Sequence, residues 1–267
     1  MSKFTRKRRI LELVAETGEV SVSALAAEFR ASRMTIRRDL EELVRTGQLS
    51  RTHGGAGPLA AGVIKFSFQT REHLHVPEKR AIARAVARMI RPGMAVSLDT
   101  GTTTLAVARM IAATPGLTVL TSSLAIASAL YASRDLDLVL LGGSARRTSP
   151  DLVGSITEEN LRRFRVHLAV LGADAVSRDG TYAADESVCR ICRAMALGAD
   201  RVVVAADSSK FGQTAFALCL ALKDIDQLVT DDGCPAEARE WLKGAVRQVT
   251  YAEVLRPLRR QEAAHVP

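Results

Sequence analysis

Asp99-Thr100-Gly101-Thr102-Thr103-Thr104 sets a carboxylate, a glycine and a run of hydroxyls between the apolar stretch Ala95–Leu98 and a helical pattern. That arrangement suits anion binding. Gly101 lets the backbone approach a ligand closely. The hydroxyls of Thr102, Thr103 and Thr104 then join the free N–H groups of the helix start in a cradle for phosphate. The plainer reading is that Thr102 caps a helix. A loop of this composition at the C-terminal end of a strand favours phosphate. Four further segments are expected on the same sheet edge: Thr121-Ser122-Ser123, Gly142-Gly143 followed by Arg146 and Arg147, Gly172-Ala173-Asp174, and Asp207–Gly212 with Lys210. Either arginine is a candidate phosphate clamp, and Lys210 is a candidate charge partner. Asp99, Asp174, Asp185, Glu186 and Lys210 are also the residue types a sugar-phosphate isomerase needs for proton transfer. Carboxylates at strand ends are equally ordinary helix caps and loop anchors, and no residue is recognisable as a base aimed at a substrate carbon.

A second constellation lies near the N-terminus, in Ser32-Arg33-Met34-Thr35-Ile36-Arg37-Arg38-Asp39-Leu40. Ser32 suits an N-cap. Ile36 and Leu40 must face a core, which turns Arg33, Thr35, Arg37 and Arg38 wholly or partly outward. A recognition helix enters the major groove by this end, where arginine reads guanine and threonine contacts phosphate or a thymine methyl. Arg51 and His53, in a β-wing, are placed for the DNA backbone or minor groove. The competing reading is a solvated helix whose arginines pair with Glu41 and Glu42. It weakens once the order helix, helix, turn, helix, wing is counted.

Cys189 and Cys192 stand three apart in a helical pattern, and Cys219 and Cys234 complete the four cysteines. A zinc or redox site is conceivable, but there is no second pair at this spacing, and buried or idle thiols are the expectation. His73 and His75 lack metal-ligand company, and Trp241 sits among apolar neighbours and is expected in the core. The reading therefore includes no metal and no cofactor.

The chain has 267 residues, 47% of them hydrophobic and 25% charged, which suits about two domains with a substantial core. Apolar runs such as Leu136–Leu141 are far shorter than the ~18 residues of a membrane span. No apolar signal region follows the basic residues Lys3 to Arg9, and four cysteines are no disulfide framework, so a reducing cytoplasm is expected. The net charge is +8, and residues 1–75 carry 13 Lys/Arg against 8 Asp/Glu while the rest carry 24 against 21. The excess sits in the smaller segment, as a polyanion-binding module would have it.

The positioning elements follow from periodicity. Phe4–Glu16, Ser21–Phe29 and the stretch after Ser32 carry helical apolar stripes; Gly47 ends the third, and Gln48–His53 reads as a short strand pair before Gly54-Gly55. Ala56–Val76 has no clean period and reads as a joint that Phe66 and Phe68 help to dock. Beyond Pro77, short apolar strands alternate with helices: strands Ala95–Leu98, Leu117–Leu120, Leu136–Leu141, His167–Leu171 and Val202–Ala205, with later ones at Ala217–Leu222 and Gln227–Val229. Alternation of this kind implies an α/β domain on a largely parallel sheet. The division expected is a winged helix-turn-helix over 1–57, a linker over 58–76 and an α/β domain over 77–267.

The run from Arg8-Arg9-Ile10 through Val20-Ser21-Val22, Thr35-Ile36-Arg37-Arg38-Asp39-Leu40 and Arg51-Thr52-His53-Gly54-Gly55-Ala56 closely resembles the DeoR family of bacterial transcriptional regulators. The marks Asp99–Thr104, Leu141-Gly142-Gly143, Gly154, Gly172-Ala173-Asp174 and Asp207–Gly212 resemble that family's sensor domain over roughly residues 77–232. The chain departs from the pattern at Ser122, where the family often has Asn. In that pattern Asp39 holds a neighbouring arginine. The resemblance implies a Rossmann-like α/β sensor fold similar to ribose-phosphate isomerase, glucosamine-phosphate deaminase and CoA transferase. It also implies phosphorylated sugars or related metabolites as effectors. The expected protein is a cytoplasmic repressor of carbohydrate-metabolism genes that binds operator DNA as a homo-oligomer, with a sugar-phosphate isomerase-like enzyme as the alternative. DNA is expected at Ser32, Arg33, Thr35, Arg37, Arg38, Arg51 and His53. The effector is expected at Asp99, Gly101, Thr102, Thr103, Thr104, Ser122, Gly142, Gly143, Arg146, Asp174 and Lys210.

Overall fold

The computed structural model describes residues 3–45, 49–57 and 68–255. Helix α1 (Lys3–Thr17) is followed by strand β1 (Val20–Ser21), α2 (Val22–Glu28) and α3 (Arg33–Arg45). Strands β2 (Ser50–Thr52) and β3 (Gly55–Gly57) form a wing, with β3 antiparallel between β1 and β2. The wing is thus not confined to 48–53: its strands flank the turn at His53-Gly54, and β1 joins them. Gly55 is required by that pairing, because a Cβ there would stand 1.9 Å from the Val20 carbonyl oxygen. The apolar stripes close on one another: Ile10 and Val14 of α1, Leu25 of α2 and Ile36, Leu40 and Leu43 of α3 share one buried core. Each such side chain contributes about 1.5–3 kcal/mol on burial. Gly47, Gln48, Phe66 and the glycine- and proline-containing part of the expected joint lie outside the described residues.

Within the remainder of that joint the chain is helical, in α4 (Phe68–His73), and α5 (Val76–Ala87) begins before Pro77. Phe68 is buried in the core that α5 and α6 share. The α/β part continues as β4 (Ala95–Leu98), α6 (Thr102–Ile111), β5 (Leu117–Thr121), α7 (Leu124–Leu130) and β6 (Leu136–Leu140). A short hairpin, β7 (Ser144–Ala145) with β8 (Leu152–Val153), leads into α8 (Ser155–Leu161) and β9 (Leu168–Leu171). Then come β10 (Ala175–Val176), β11 (Gly180–Ala183), α9 (Glu186–Leu197), β12 (Val202–Ala205), β13 (Ala217–Ala221), β14 (Gln227–Asp231), α10 (Ala236–Leu242) and β15 (Gln248–Ala252).

Seven strands make one parallel sheet in the order β15-β14-β12-β9-β4-β5-β6. One apolar core packs under α5, α6 and α7, and a second, on Leu171, Val204 and Leu228, takes in α9 and α10. Both faces of the central strands are buried, which is why β9 and β12 read as unbroken apolar runs. The strand expected at Ala217–Leu222 exists as β13 but does not join this sheet. It pairs antiparallel with β11 in a separate three-stranded sheet beside α9. Among the described residues no helix is long and apolar enough to cross a membrane.

The strand order fixes where a ligand can enter. From β4 the chain moves one way to β5 and β6, and β9 then returns to the other side of β4. The loops after β4 and β9 therefore diverge and leave a crevice at the carboxyl edge of the sheet.

Candidate functional site: a helix face and a switch-point crevice

The exposed face of α3 is built from below. Ile36 and Leu40 are fully buried, so the helical period turns Arg33, Met34, Arg37 and Arg38 to solvent. Ser32 caps the helix, its Oγ accepting the Thr35 N–H at 3.1 Å and lying 2.9 Å from Thr35 Oγ1. Asp39 is buried and takes Arg6 Nε of α1 at 2.5 Å, so the arginine it holds comes from another helix. Glu42 pairs with Lys7. Among the described residues, Arg33, Arg37 and Arg38 have no carboxylate partner, and Arg51 and His53 are exposed on the wing. The face thus presents several uncompensated guanidinium groups on a helix with a rigid, apolar underside.

The crevice lies at the β4/β9 switch point. Its walls are Asp99 to Thr104, Gly172 to Asp174, the Ala183–Asp185 corner after β11, and Arg71, Arg146, Cys192 and Cys219. Gly101 precedes α6 at φ 147°, a conformation that favours glycine. Thr104 Oγ1 donates to the Gly101 carbonyl at 3.0 Å, while Thr100 Oγ1 and Thr102 Oγ1 are buried without a hydrogen-bond partner. Asp99 is also buried. Its Oδ2 accepts the Gly172 N–H at 3.1 Å and the Cys192 thiol at 3.4 Å, and its Oδ1 has no partner. Burial pushes its pKa up to about 7, against the pull of the Gly172 and Thr100 N–H groups. The loop therefore carries two unused hydroxyls beside a helix N-terminus, donors that a bound anion would accept.

The other walls are tied by ion pairs. Arg146 donates Nε and Nη2 to the two oxygens of buried Asp151 at 2.7 and 2.6 Å, and Nη1 to Asp185 at 3.0 Å. Asp185 also caps α9 through the Ser187 N–H. Arg71, from α4, donates Nη1 to Asp174 Oδ1 at 2.6 Å, and Asp174 Oδ2 accepts the Ala184 N–H at 2.9 Å. Burial draws the Arg71 guanidinium downward, opposed by Asp174 and Asp207.

Of the expected ligand residues, Asp99, Gly101, Thr102, Thr103, Thr104, Arg146 and Asp174 meet in this crevice. Ser122, Gly142, Gly143 and Lys210 do not line it. Ser122 is buried and its carbonyl receives the Leu152 N–H, while Ser123 caps α7. Gly142 receives the Thr157 hydroxyl on its carbonyl at 2.6 Å. A Cβ on Gly143 would stand 2.1 Å from Thr157 Oγ1, so this glycine makes room for α8. Lys210 follows β12 in a 3₁₀ turn; burial and Arg71 bring it down to about 8, against Asp207 and Asp174.

The residues that sequence reading did not place here are Arg71, Cys192 and Cys219. Arg71 lies in the span expected as joint, and no periodicity marks it. The cysteines are buried and free: Cys189, Cys192 and Cys219 share one cluster, whereas Cys234 packs in the main core. The Cys219 hydrogen bond, then burial, raises Cys189 above the ordinary thiol range, and Cys192 stands at about 11 despite its own bond to Cys219. Trp241 packs against the main core with its ring centroid 6.1 Å from that of Phe211.

Comparison with known proteins gives two family matches. Residues 6–59 match the DeoR-like helix-turn-helix domain, and residues 74–232 match the DeoR C terminal sensor domain. The chain is similar to the HTH-type transcriptional regulator GlpR of Haloferax volcanii, at 35% identity over 241 residues covering 90% of this chain and 94% of that one. It is similar to the glycerol-3-phosphate regulon repressor of Escherichia coli K12, at 32% identity over 243 residues covering 91% and 96%. Among solved structures, ribose 5-phosphate isomerase A of Methanocaldococcus jannaschii aligns over 50% of this chain and 53% of its own, at TM-score 0.36 and 18% identity.

Proposed function

The chain belongs to the DeoR family of transcriptional regulators, and on that premise we propose that it is a repressor of carbohydrate-metabolism genes, acting in the cytoplasm on operator DNA under control of a phosphorylated sugar. The observation that carries this reading is the joining, in one chain, of the free arginine face of α3 to a switch-point crevice with unpartnered hydroxyls. Ser32, Arg33, Thr35, Arg37, Arg38, Arg51 and His53 are the DNA contacts. Asp99, Gly101, Thr102, Thr103, Thr104, Arg146 and Asp174 are the effector contacts. One recognition helix reads a few base pairs, so the chain works as an oligomer on paired half-sites. The name of the Escherichia coli relative supports a small phosphorylated polyol or sugar as the effector.

The crevice binds its ligand without turning it over. What supports this is the company the chain keeps: its relatives are named as a transcriptional regulator and a regulon repressor. Domain boundaries near residues 57 and 76 are part of the same proposal. The test is direct. Purified chain is assayed for retardation of DNA from its own upstream region and for thermal stabilisation by a panel of pentose, hexose and triose phosphates. Sequence-specific retardation relieved by one phosphorylated compound supports the reading. Sustained isomerisation of a panel member, abolished by Asp174→Asn, would move the protein to the enzyme class.

A further inference from the structure

Helix α4 is the described end of the joint, and among the described residues four contacts fasten it. Phe68 is buried in the core beneath α6. Glu72 takes Arg109 of α6 at 2.7 Å. Arg71 reaches into the crevice and pairs with Asp174 across 103 residues of sequence. Buried Lys79 of α5 holds the end of the helix, donating to the carbonyls of Arg71 and Leu74. The chain then enters α5 through His75, a non-glycine residue at φ 51°. Left-handed backbone at such a residue is sparsely populated and is held in place only by surrounding structure. The α4–α5 corner is therefore a strained pivot, and one fastener of α4 lies inside the ligand crevice.

Two guanidinium groups line that crevice with the anion loop. Arg146 is chelated by both oxygens of Asp151 and bound by Asp185, so it meets a ligand as a fixed part of the wall. Arg71 donates Nη1 to one Asp174 oxygen, and the other Asp174 oxygen keeps the Ala184 N–H. A phosphate offers Arg71 two acceptors in the planar geometry a guanidinium prefers, which is stronger than a single carboxylate contact. Asp174 would remain anchored by Ala184 after the exchange.

We propose that Arg71 is the cation that receives the effector phosphate, and that its transfer from Asp174 to phosphate shifts α4 about the His75 corner and so carries occupancy of the crevice to the joint. The inference rests on the crevice being the sugar-phosphate site. Small displacements at such a site are amplified because packed elements are bistable rather than continuously deformable.

The test uses the full chain, with inorganic phosphate, glycerol 3-phosphate and ribose 5-phosphate as probes in calorimetry and in amide exchange over residues 68–74. Arg71→Gln weakens the phosphate-bearing probes by at least about tenfold, the loss expected for a charge-assisted contact. Arg71→Lys, which keeps the charge, falls between. Asp174→Asn removes the competing charge but keeps an acceptor for Ala184, and it tightens binding of inorganic phosphate. The wild-type chain shows faster exchange in α4 when a probe binds, and Arg71→Gln does not. Wild-type affinity in Arg71→Gln, or α4 exchange indifferent to a bound probe in the wild-type chain, overturns the inference and leaves the sugar-phosphate reading standing. A wild-type chain that binds none of the probes overturns both.

Discussion

Asp99 and Gly172, 73 residues apart, meet at the sheet's switch point, where the Gly172 N–H donates to Asp99 Oδ2 at 3.1 Å. The contact ties the loop after β4 to the loop after β9 and buries a carboxylate whose second oxygen has no hydrogen-bond partner.

That burial makes a prediction about pH. Asp99 has its folded pKa raised to about 7 from 3.8. Between those values the folded chain holds a proton that the unfolded chain has lost, so this group's contribution to stability falls as pH rises through the window. Asp99→Asn removes that slope, because an amide oxygen still accepts the Gly172 and Cys192 hydrogens. Unfolding midpoints of the ligand-free chain from pH 4 to 8 should therefore be flatter in Asp99→Asn than in the wild-type chain. Parallel curves would show that the carboxylate is not the titrating group.

The arginine face of α3 predicts an effect on DNA and not on folding. Arg37→Ala and Arg38→Ala each weaken operator binding by about 1–3 kcal/mol if they reach base edges. Thermal midpoints should stay close to wild type, since both side chains are exposed and unpaired among the described residues. Fluorescence anisotropy across a salt series reads both terms, and a phosphate-contacting arginine would also lower the salt slope. A double variant with wild-type affinity would remove α3 from the interface.

Asp39 makes the opposite prediction from the same helix. It is buried against Arg6, and Asp39→Ala leaves that guanidinium without its carboxylate in a nearly closed site, 12% exposed. The expected cost is about 3 kcal/mol, read as a lowered midpoint for the N-terminal unit. Asp39→Ala should lose DNA binding on heating before Arg37→Ala does, although its side chain is buried.

Legibility in the sequence followed local period. The stripes at Ile10 and Val14, Leu25, and Ile36 and Leu40 place three helices because burial repeats with the helical turn. The apolar runs in β9 and β12 announce a parallel sheet because both faces are covered. The Asp99–Thr104 loop stands out in the sequence because a glycine and a run of threonines follow an apolar strand, and the structure places it at the switch-point crevice. At Gly142 and Gly143 the sequence is ambiguous for a physical reason: a glycine that admits a phosphate and one that admits a neighbouring helix look alike, and the structure shows Gly143 against Thr157 of α8. Arg71 was invisible because its partner is 103 residues away and its helix is six residues long. The strand at β13 is visible in the sequence but its sheet is not, because its partner β11 pairs antiparallel across α9 and β12 and no local pattern marks that pairing.

Gly143 therefore supplies a stability prediction in place of a ligand one. Its φ is 125°, and an added Cβ would stand 2.1 Å from Thr157 Oγ1 and 2.8 Å from the Val153 carbonyl oxygen. Gly143→Ala combines backbone strain with overpacking, each about 1–3 kcal/mol. Denaturant unfolding should show that loss, while sugar-phosphate affinity per folded molecule stays unchanged. Lost affinity in a fully folded variant would return this loop to the ligand site.

Gly101 tests the coupling between the two halves. At φ 147° a side chain is strained whatever the space around it, although the nearest obstacle to a Cβ is Thr104 Oγ1 at 3.4 Å. Gly101→Ala should cost about 1–3 kcal/mol of stability and reshape the loop that presents the N–H groups of Thr102 and Thr103. Sugar-phosphate affinity falls in consequence, and α3, which packs against α1, α2 and β3, keeps its operator affinity. The two affinities remain linked: whatever factor the sugar phosphate applies to operator binding, operator must apply to sugar-phosphate binding. At the typical coupling of about 1–3 kcal/mol this is a factor of roughly 5 to 150. Calorimetry of the sugar phosphate with and without operator, set beside anisotropy of operator with and without sugar phosphate, measures both sides of that cycle. In the wild-type chain the two factors must agree. In Gly101→Ala the operator should bind tightly and ignore sugar-phosphate concentrations that release the wild-type complex. A variant that still releases at the wild-type concentration would show that the Asp99–Thr104 loop does not hold the effector.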